Sequence, residues 1–320
     1  MSVDMTAQDT SPRLASARDY VELLKPRIMM LVVFTALAGL VAAVGVTGTE
    51  INPVLATVAI IAVALGSGAA GAINMWYDAD IDAIMTRTST RPIPSGAVPK
   101  DEALTMGLIM SAVSVLLMWI ASNVLAAGLL ALSIVYYGWF YTMVLKRRTA
   151  QNIVIGGAAG AFPPVIGWAA VTGTTPLDAW ILFAIIFFWT PPHFWALSLV
   201  AHKEYEKAGV PMLPVTNGAR ATRLQMLLYT IVLAPVGLSP LITGLGGVVF
   251  AVIGTLLTIA FLYFAVKVWQ SCAGEDEAGA PERKLAMSMF AFSILYLFGL
   301  FAALIIEHGF GLYFPLGGVL

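Results

Sequence analysis

Charge is what this sequence has least of. Only 11% of its 320 residues are Asp, Glu, Lys or Arg, against 59% hydrophobic. A soluble domain carries about 25% charged residues. A chain this poor in charge lacks the polar surface of a water-soluble globule, and its mean hydropathy of +0.88 points the same way. Cysteine is almost missing too. The single Cys272 excludes an internal disulfide framework and a cysteine-rich metal centre, and reads as an incidental loop thiol. The stretch before Ile28 has no short apolar core of a signal peptide, and Asp4, Asp9 and Asp19 speak against a mitochondrial presequence. Residues 1–27 are therefore expected to be a polar, mobile tail that ends in an interfacial segment around Tyr20 to Arg27. Residues 28–320 are expected to form one membrane-embedded domain.

What is abundant is apolar sequence in membrane-length runs. A span needs about 20 largely apolar residues. About nine are present, roughly at 28–46, 53–73, 104–121, 124–145, 152–171, 179–200, 225–243, 247–269 and 286–306. The fold class is thus an all-α polytopic membrane helix bundle. The turn at Ser122 and Asn123 is very short. With this count all 17 Lys and Arg fall on one side, from Arg13, Arg18, Lys25 and Arg27 to Lys267, Arg283 and Lys284. The loops near Glu50, Asn123, Asp178 and Gly244 have none. The positive-inside rule makes the loaded side cytoplasmic, with the N-terminus inside and the C-terminus outside. The loaded loops, at about 83–103 and 202–224, are also the long ones, and long loops in compact domains are often functional. Because topology alone attracts basic residues to this side, a single Lys or Arg there is weak evidence of chemistry.

One group of polar residues stands apart from that background. Asn74, Asp78 and Asp82 form N-x-x-x-D-x-x-x-D at the inner end of span two. Steps of four advance about 40° around a helix, so all three are expected on one face, while Asp80 lies about 200° from Asp78 and points elsewhere. Two carboxylates one turn apart need a cation between them. Oxygen ligands suit Mg²⁺, which keeps several waters and bridges carboxylates to phosphates. Arg87 and Arg91 follow closely and can clamp phosphate oxygens. This is the chemistry that ionises an allylic diphosphate. A solvated helix end, or a substrate-coupling site in a secondary transporter, uses the same residue types.

Span six supplies the second group, Trp189-Thr190-Pro191-Pro192-His193-Phe194-Trp195 running on to Lys203-Glu204-Tyr205. The double proline is expected to kink or break the helix. His193 is the only readily charged side chain inside that apolar run, so it is either a functional group or a core histidine. Lys146, Arg147 and Arg148 reach the same face and are either a topological anchor or part of the site. Lys203 and Glu204 are candidates for an interfacial ion pair. Gly156, Gly157 and Gly160 suggest close helix packing. The aromatics Tyr136, Tyr137, Trp139, Phe140 and Tyr141 suit an interfacial belt or the wall of a prenyl chamber.

Across these residues the chain resembles the UbiA-type intramembrane prenyltransferase superfamily. The likeness begins at Leu24-Lys25-Pro26-Arg27 and continues through Asn74 to Gly96, Leu145 to Gly157 and Phe162-Pro163-Pro164. The Pro191-to-Trp195 run and Pro211-Met212-Leu213-Pro214-Val215 resemble the branch that prenylates haem. Other branches carry a second aspartate-rich motif where this chain has His193 and Lys203-Glu204-Tyr205. The resemblance implies an intramembrane prenyltransferase domain over 28–320 that joins a farnesyl group from farnesyl diphosphate to the vinyl group of haem B, with water added. It implies Mg²⁺ as cofactor on Asn74, Asp78 and Asp82, and diphosphate contacts from Arg87 and Arg91. Lys146, Arg147 and Arg148 would pair with diphosphate or haem propionates, and His193 would ligate iron or shuttle a proton. Asp78, Asp82 and His193 are the candidate catalytic residues, with Trp195, Lys203, Glu204 and Tyr205 as further substrate contacts. It implies a bacterial inner-membrane protein among lipids, with no nucleic-acid partner and a haem A synthase or oxidase assembly factor as candidate partner. Another prenyl acceptor, such as an aromatic acid or a chlorophyll precursor, is the alternative within the superfamily.

The charge distribution gives a direct test of orientation. Alkaline phosphatase fused after Leu320 should be active in a bacterial host, and a fusion at Ser89 should be inactive. The opposite pattern would invert the topology.

Overall fold

The computed structural model of the chain describes residues 15–316. It contains the helices α1 (Ala17–Leu23), α2 (Pro26–Thr47), α3 (Pro53–Tyr77), α4 (Ala79–Ile84), α5 (Lys100–Ala121) and α6 (Val124–Val135), the last continued by a π-helical stretch, Tyr136–Leu145. Then follow α7 (Asn152–Thr172), α8 (Leu177–Lys207), α9 (Leu213–Leu238), α10 (Pro240–Thr243), α11 (Val248–Gln270) and α12 (Ala280–Gly309). Among the described residues there is no strand, and nine helices are long and apolar enough to cross a membrane. This is the expected all-α bundle with its nine spans, and the protein is an integral membrane protein.

Neighbouring spans pack in sequence around the bundle, and α12 returns to α2 to close it. The contact between α2 and α7 also runs through the interior, and α7 is the most enclosed of the spans. In lipid, helices gain little from the hydrophobic effect and associate by close packing of small residues. Gly39 and Gly167 show how. A Cβ at Gly39 would run into the Pro164 carbonyl, and one at Gly167 into the Ala36 carbonyl. Backbone touches backbone at both points. The opposite end is tied by Glu307, fully buried on α12, whose carboxylate accepts from the backbone N–H of Gly247 (2.8 Å) and Phe250 (2.9 Å). It thereby satisfies donors that the start of α11 leaves free. The two-residue turn at Ser122 and Asn123 holds because Asn123 accepts from the Ala126 N–H at 2.9 Å and donates to the Ala169 carbonyl at 2.7 Å.

Three expectations change. The double proline does not break α8, which runs unbroken from Leu177 to Lys207. Thr190 donates its hydroxyl to the Ile186 carbonyl at 2.8 Å beside the prolines, and packed neighbours tolerate the missing N–H groups as they do in other membrane helices. The expected long loop at 202–224 is mostly helix, since α8 continues through its polar end and α9 starts at Leu213 with an internal bend at Gly218 (φ 82°). The 83–103 segment is the turn-rich loop its composition suggests, up to the start of α5 at Lys100. Finally, the end of the expected tail is folded: α1 packs on α3 with Leu23 fully buried. Residues 1–14 of that tail lie outside the described residues.

The α2–α7 contact leaves no room for a methyl group. Gly167→Ala should lower the unfolding midpoint in detergent micelles, at a cost of about 1–3 kcal/mol. An unchanged midpoint would show that the helices separate freely there.

Candidate active site

The site is built where α3 stops. Asp78 caps α3 with φ −84° and ψ 3° and begins the short α4, so the chain bends at this residue. Its side chain is fully buried. Lys146 donates to Asp78 Oδ2 at 2.5 Å, and the Asn74 amide N–H donates to the same oxygen at 2.9 Å. Asn74 is clamped in turn. Its Oδ1 accepts from Lys25 Nζ at 2.5 Å, and its Nδ2 also donates to the Thr142 hydroxyl at 3.0 Å. Asp82, also buried, pairs with Arg91 at 2.6 Å.

Lys146 and Thr142 arrive there because of the π-helical stretch. Its wider turn is seen in the Lys146 N–H bonding to the Tyr141 carbonyl and the Thr142 hydroxyl to the Tyr137 carbonyl, both five residues back. π-segments recur at functional sites because they re-aim side chains that an α-helix would place elsewhere. Tyr141 fits against α7 only because position 156 is glycine, where a Cβ would strike its ring. Tyr137 and Tyr141 stack at 5.3 Å, and Lys25 lies 5.9 Å over the Tyr137 ring.

The bend at Asp78 also recruits Asp80, which the helical wheel had pointing elsewhere. Arg147 grips Asp80 with two nitrogens at 2.6 and 2.8 Å, reaches to within 3.7 Å of Asp78 Oδ1 and lies over the Tyr77 ring. That hydrogen-bonded grip holds the Asp80 carboxyl at about 2, and Asp80 raises Arg147 in return. Burial, with repulsion from Arg91 and Lys146, pulls Lys25 down to about 7. Arg87 is exposed and, with Arg91, bears on the Tyr205 hydroxyl. Lys25, Arg91, Lys146 and Arg147 thus gather around Asn74 and the carboxylates of Asp78, Asp80 and Asp82, with Arg87 beside Arg91 at Tyr205, a basic setting for an anionic ligand.

The other candidates lie further off. His193 is 8% exposed and is stacked between Trp189 and Phe290 at 4.2 and 4.5 Å. Its Nδ1 sits 2.6 Å from the Ser293 hydroxyl on α12. Trp195 is fully enclosed, edge-on to Tyr229. Lys203 and Glu204 do not pair with each other: Lys203 meets Asp276 at 3.1 Å, while Glu204 Oε2 is buried without a partner among the described residues. Arg148 is exposed and has no ion-pair partner among the described residues. Sequence reasoning missed Lys25, Thr142 and Asp80 as members of this cluster. Only the Leu24-to-Arg27 run hinted at Lys25.

The residues present fit a hard divalent cation. Asp78 Oδ1 is buried and has no hydrogen-bond partner, and Asp82 and the Asn74 amide oxygen supply further oxygen donors. No group of three or more His, Cys, Asp or Glu able to hold a metal exists among the described residues. A metal here would therefore complete its shell with water and phosphate oxygens, which is the habit of Mg²⁺.

Comparison with known proteins bears on this arrangement. The model of the UbiA prenyltransferase family matches residues 32–294. A Hyphomonas neptunium protein named protoheme IX farnesyltransferase is 70% identical over 315 residues, covering 98% of this chain and 99% of that one. A Caulobacter vibrioides protein of the same name is 53% identical over 322 residues, covering 96% and 95%. Among solved structures, a digeranylgeranylglyceryl phosphate synthase superposes with a TM-score of 0.70 at 17% identity, covering 90% of this chain and 97% of the other. A UbiA homologue from Archaeoglobus fulgidus bound to DMAPP and Mg²⁺ superposes with a TM-score of 0.66, also at 17% identity, covering 90% and 99%.

The Lys146–Asp78 pair should behave as a closed unit. Lys146→Met strands a buried carboxylate and should destabilise the protein by up to about 3–5 kcal/mol. Adding Asp78→Asn should recover much of that loss in denaturant unfolding, whereas strictly additive losses would show the two groups to be uncoupled.

Proposed function

The chain belongs to the UbiA prenyltransferase family, in its protoheme IX farnesyltransferase branch, and from that premise we propose that it transfers a farnesyl group from farnesyl diphosphate to a vinyl group of haem B. Water is added in the same reaction, giving haem O and diphosphate. The observation that carries this reading is the buried Asn74–Asp78 pair with its ring of cations, built for an anion at the end of a membrane helix. Identity of 70% to a protoheme IX farnesyltransferase supports haem as the acceptor, and family membership makes the protein a prenyltransferase enzyme rather than a transporter.

In the proposed reaction Arg87 and Arg91 hold the diphosphate oxygens, with Lys25, Lys146 and Arg147 close by. Lys146 and Arg91 exchange their carboxylate partners for phosphate as the substrate enters. Asp78, Asp82 and the Asn74 amide oxygen would hold Mg²⁺, which would supply positive charge to the leaving diphosphate. The C–O bond of the farnesyl diphosphate breaks and leaves an allylic cation beside the ring faces of Tyr137 and Tyr141, which favour positive charge. The haem vinyl carbon forms the new C–C bond, and water adds to the resulting cation with loss of a proton. Arg148, exposed and unpaired, is free for a haem propionate. His193 lies 11 residues, or about 16 Å of helix, deeper than Glu204. The site then opens to the cytoplasmic side of a bacterial inner membrane.

Purified protein given haem B and farnesyl diphosphate should form haem O only with Mg²⁺ present. Asp78→Ala should lower turnover by on the order of 100-fold or more while the protein stays folded. Product from an aromatic acid or a chlorophyll precursor, with none from haem B, would overturn the acceptor assignment.

A further inference from the structure

His193 and Ser293 are joined by a hydrogen-bond chain whose direction can be worked out from its lengths. The His193 Nδ1 to Ser293 Oγ distance is 2.6 Å, and either atom can be the donor. Ser293 Oγ also lies 2.6 Å from the Phe290 carbonyl oxygen, three residues earlier on α12. A hydroxyl has one proton, and a carbonyl has none to offer. Two oxygens at 2.6 Å without a hydrogen between them would repel, so the serine proton belongs on the Phe290 side. The hydroxyl then has only lone pairs for His193, and Nδ1 must carry the ring proton. Assigned from this network, His193 is the Nδ1–H tautomer and its Nε2 holds a lone pair.

The surroundings fix the ring as firmly as the tautomer. Trp189 donates its indole N–H to the Ser293 carbonyl at 2.7 Å, and its ring stacks on one face of the imidazole. Phe290 stacks on the other face, at 4.5 Å and 22°. Phe194 meets the ring edge-on at 5.1 Å. Ser293 itself is fully buried. Nε2, by contrast, has no hydrogen-bond partner among the described residues and is not among the sealed, unpartnered atoms of the core. The ring is therefore clamped on both faces and proton-fixed at one nitrogen, with the other left open. Metal-ligating histidines are held in this way, by an acceptor on the nitrogen that does not bind the metal.

We infer that Ser293 is a positioning residue that fixes His193 as the Nδ1–H tautomer, so that Nε2 presents its lone pair to the iron of the bound haem. This rests on the reading that haem is the acceptor. It assigns a role to span nine, and it makes iron ligation, rather than proton transfer, the task of His193. The iron contact holds the porphyrin at a set depth, and no bond of the substrate is broken or formed by it.

The test uses the whole protein in lipid nanodiscs. It is titrated with haem B and, separately, with metal-free protoporphyrin IX, followed by Soret absorbance and porphyrin fluorescence. Ser293→Ala should weaken haem B binding by about 10–100-fold, the usual effect of removing such a partner, and leave metal-free porphyrin and farnesyl diphosphate binding unchanged. Ser293→Thr keeps the hydroxyl and should restore haem affinity. Equal losses for haem and metal-free porphyrin, or no loss for either, would overturn the inference. Should Ser293→Ala not fold, the unaltered protein decides: its ferrous haem complex should show an iron–imidazole stretching band that His193→Ala removes. A complex without that band overturns the inference even if haem O is formed. An intact band in a protein that makes no haem O leaves the inference standing and overturns the proposed reaction instead.

Discussion

Asp78 is a carboxylate enclosed by protein at the end of a membrane helix, and its charge has to be met from within. One oxygen receives Lys146 and Asn74, and the other faces Arg147 at 3.7 Å without a hydrogen bond. Much of the local structure follows from that demand. The helix ends at Asp78, the π-helical stretch brings Lys146 and Thr142 across from another span, and Lys25 reaches in ahead of α2 to take the Asn74 amide oxygen. Removing one member leaves the others with unmatched charge in a place where water does not readily replace it.

The cations meet two requirements at once. Charge on the membrane side of a helix end obeys topology, which is why a basic residue there is weak evidence by itself. The structure separates the two roles by contact. Lys146, Arg91, Arg147 and Lys25 touch the carboxylates or the amide that orients them, whereas Lys203 pairs with Asp276 on an open surface. Further into the bundle, His193 meets three aromatic rings and the Ser293 hydroxyl, with no ion-pair partner among the described residues. A charged end and an apolar interior with one oriented imidazole suit two substrates of different kinds, an anionic diphosphate with a hydrocarbon tail and a planar porphyrin.

The architecture was largely legible in the residues. Nine apolar runs became nine helices, since length and hydropathy are what a bilayer selects. Legibility failed where polar residues continue a helix past the apolar run, as at Val200 to Lys207, and where two prolines sit inside one that neighbours hold together. In the site, Asn74 and Asp78 could be placed together because they lie one turn apart on α3. Asp80 was misdirected because the wheel assumed a straight helix through Asp78, where the backbone turns. Lys25 and Thr142 were invisible as partners because one stands in a left-handed conformation (φ 51°) and the other on a π-helical stretch, and neither geometry leaves a periodic signal. Ser293 lies 100 residues from His193, and nothing in an apolar span marks one serine among others.

In the proposed reaction these carboxylates stay paired with cations until a metal and a diphosphate arrive together. Mn²⁺, standing in for Mg²⁺, can be titrated by electron paramagnetic resonance with and without a non-reactive farnesyl thiodiphosphate. Metal binding alone should be weak, because Lys146 and Arg91 occupy Asp78 and Asp82, and should tighten by on the order of 100-fold with the diphosphate analogue, which supplies metal ligands and draws those cations away. Equal metal affinity in both titrations, or none in either, would contradict it.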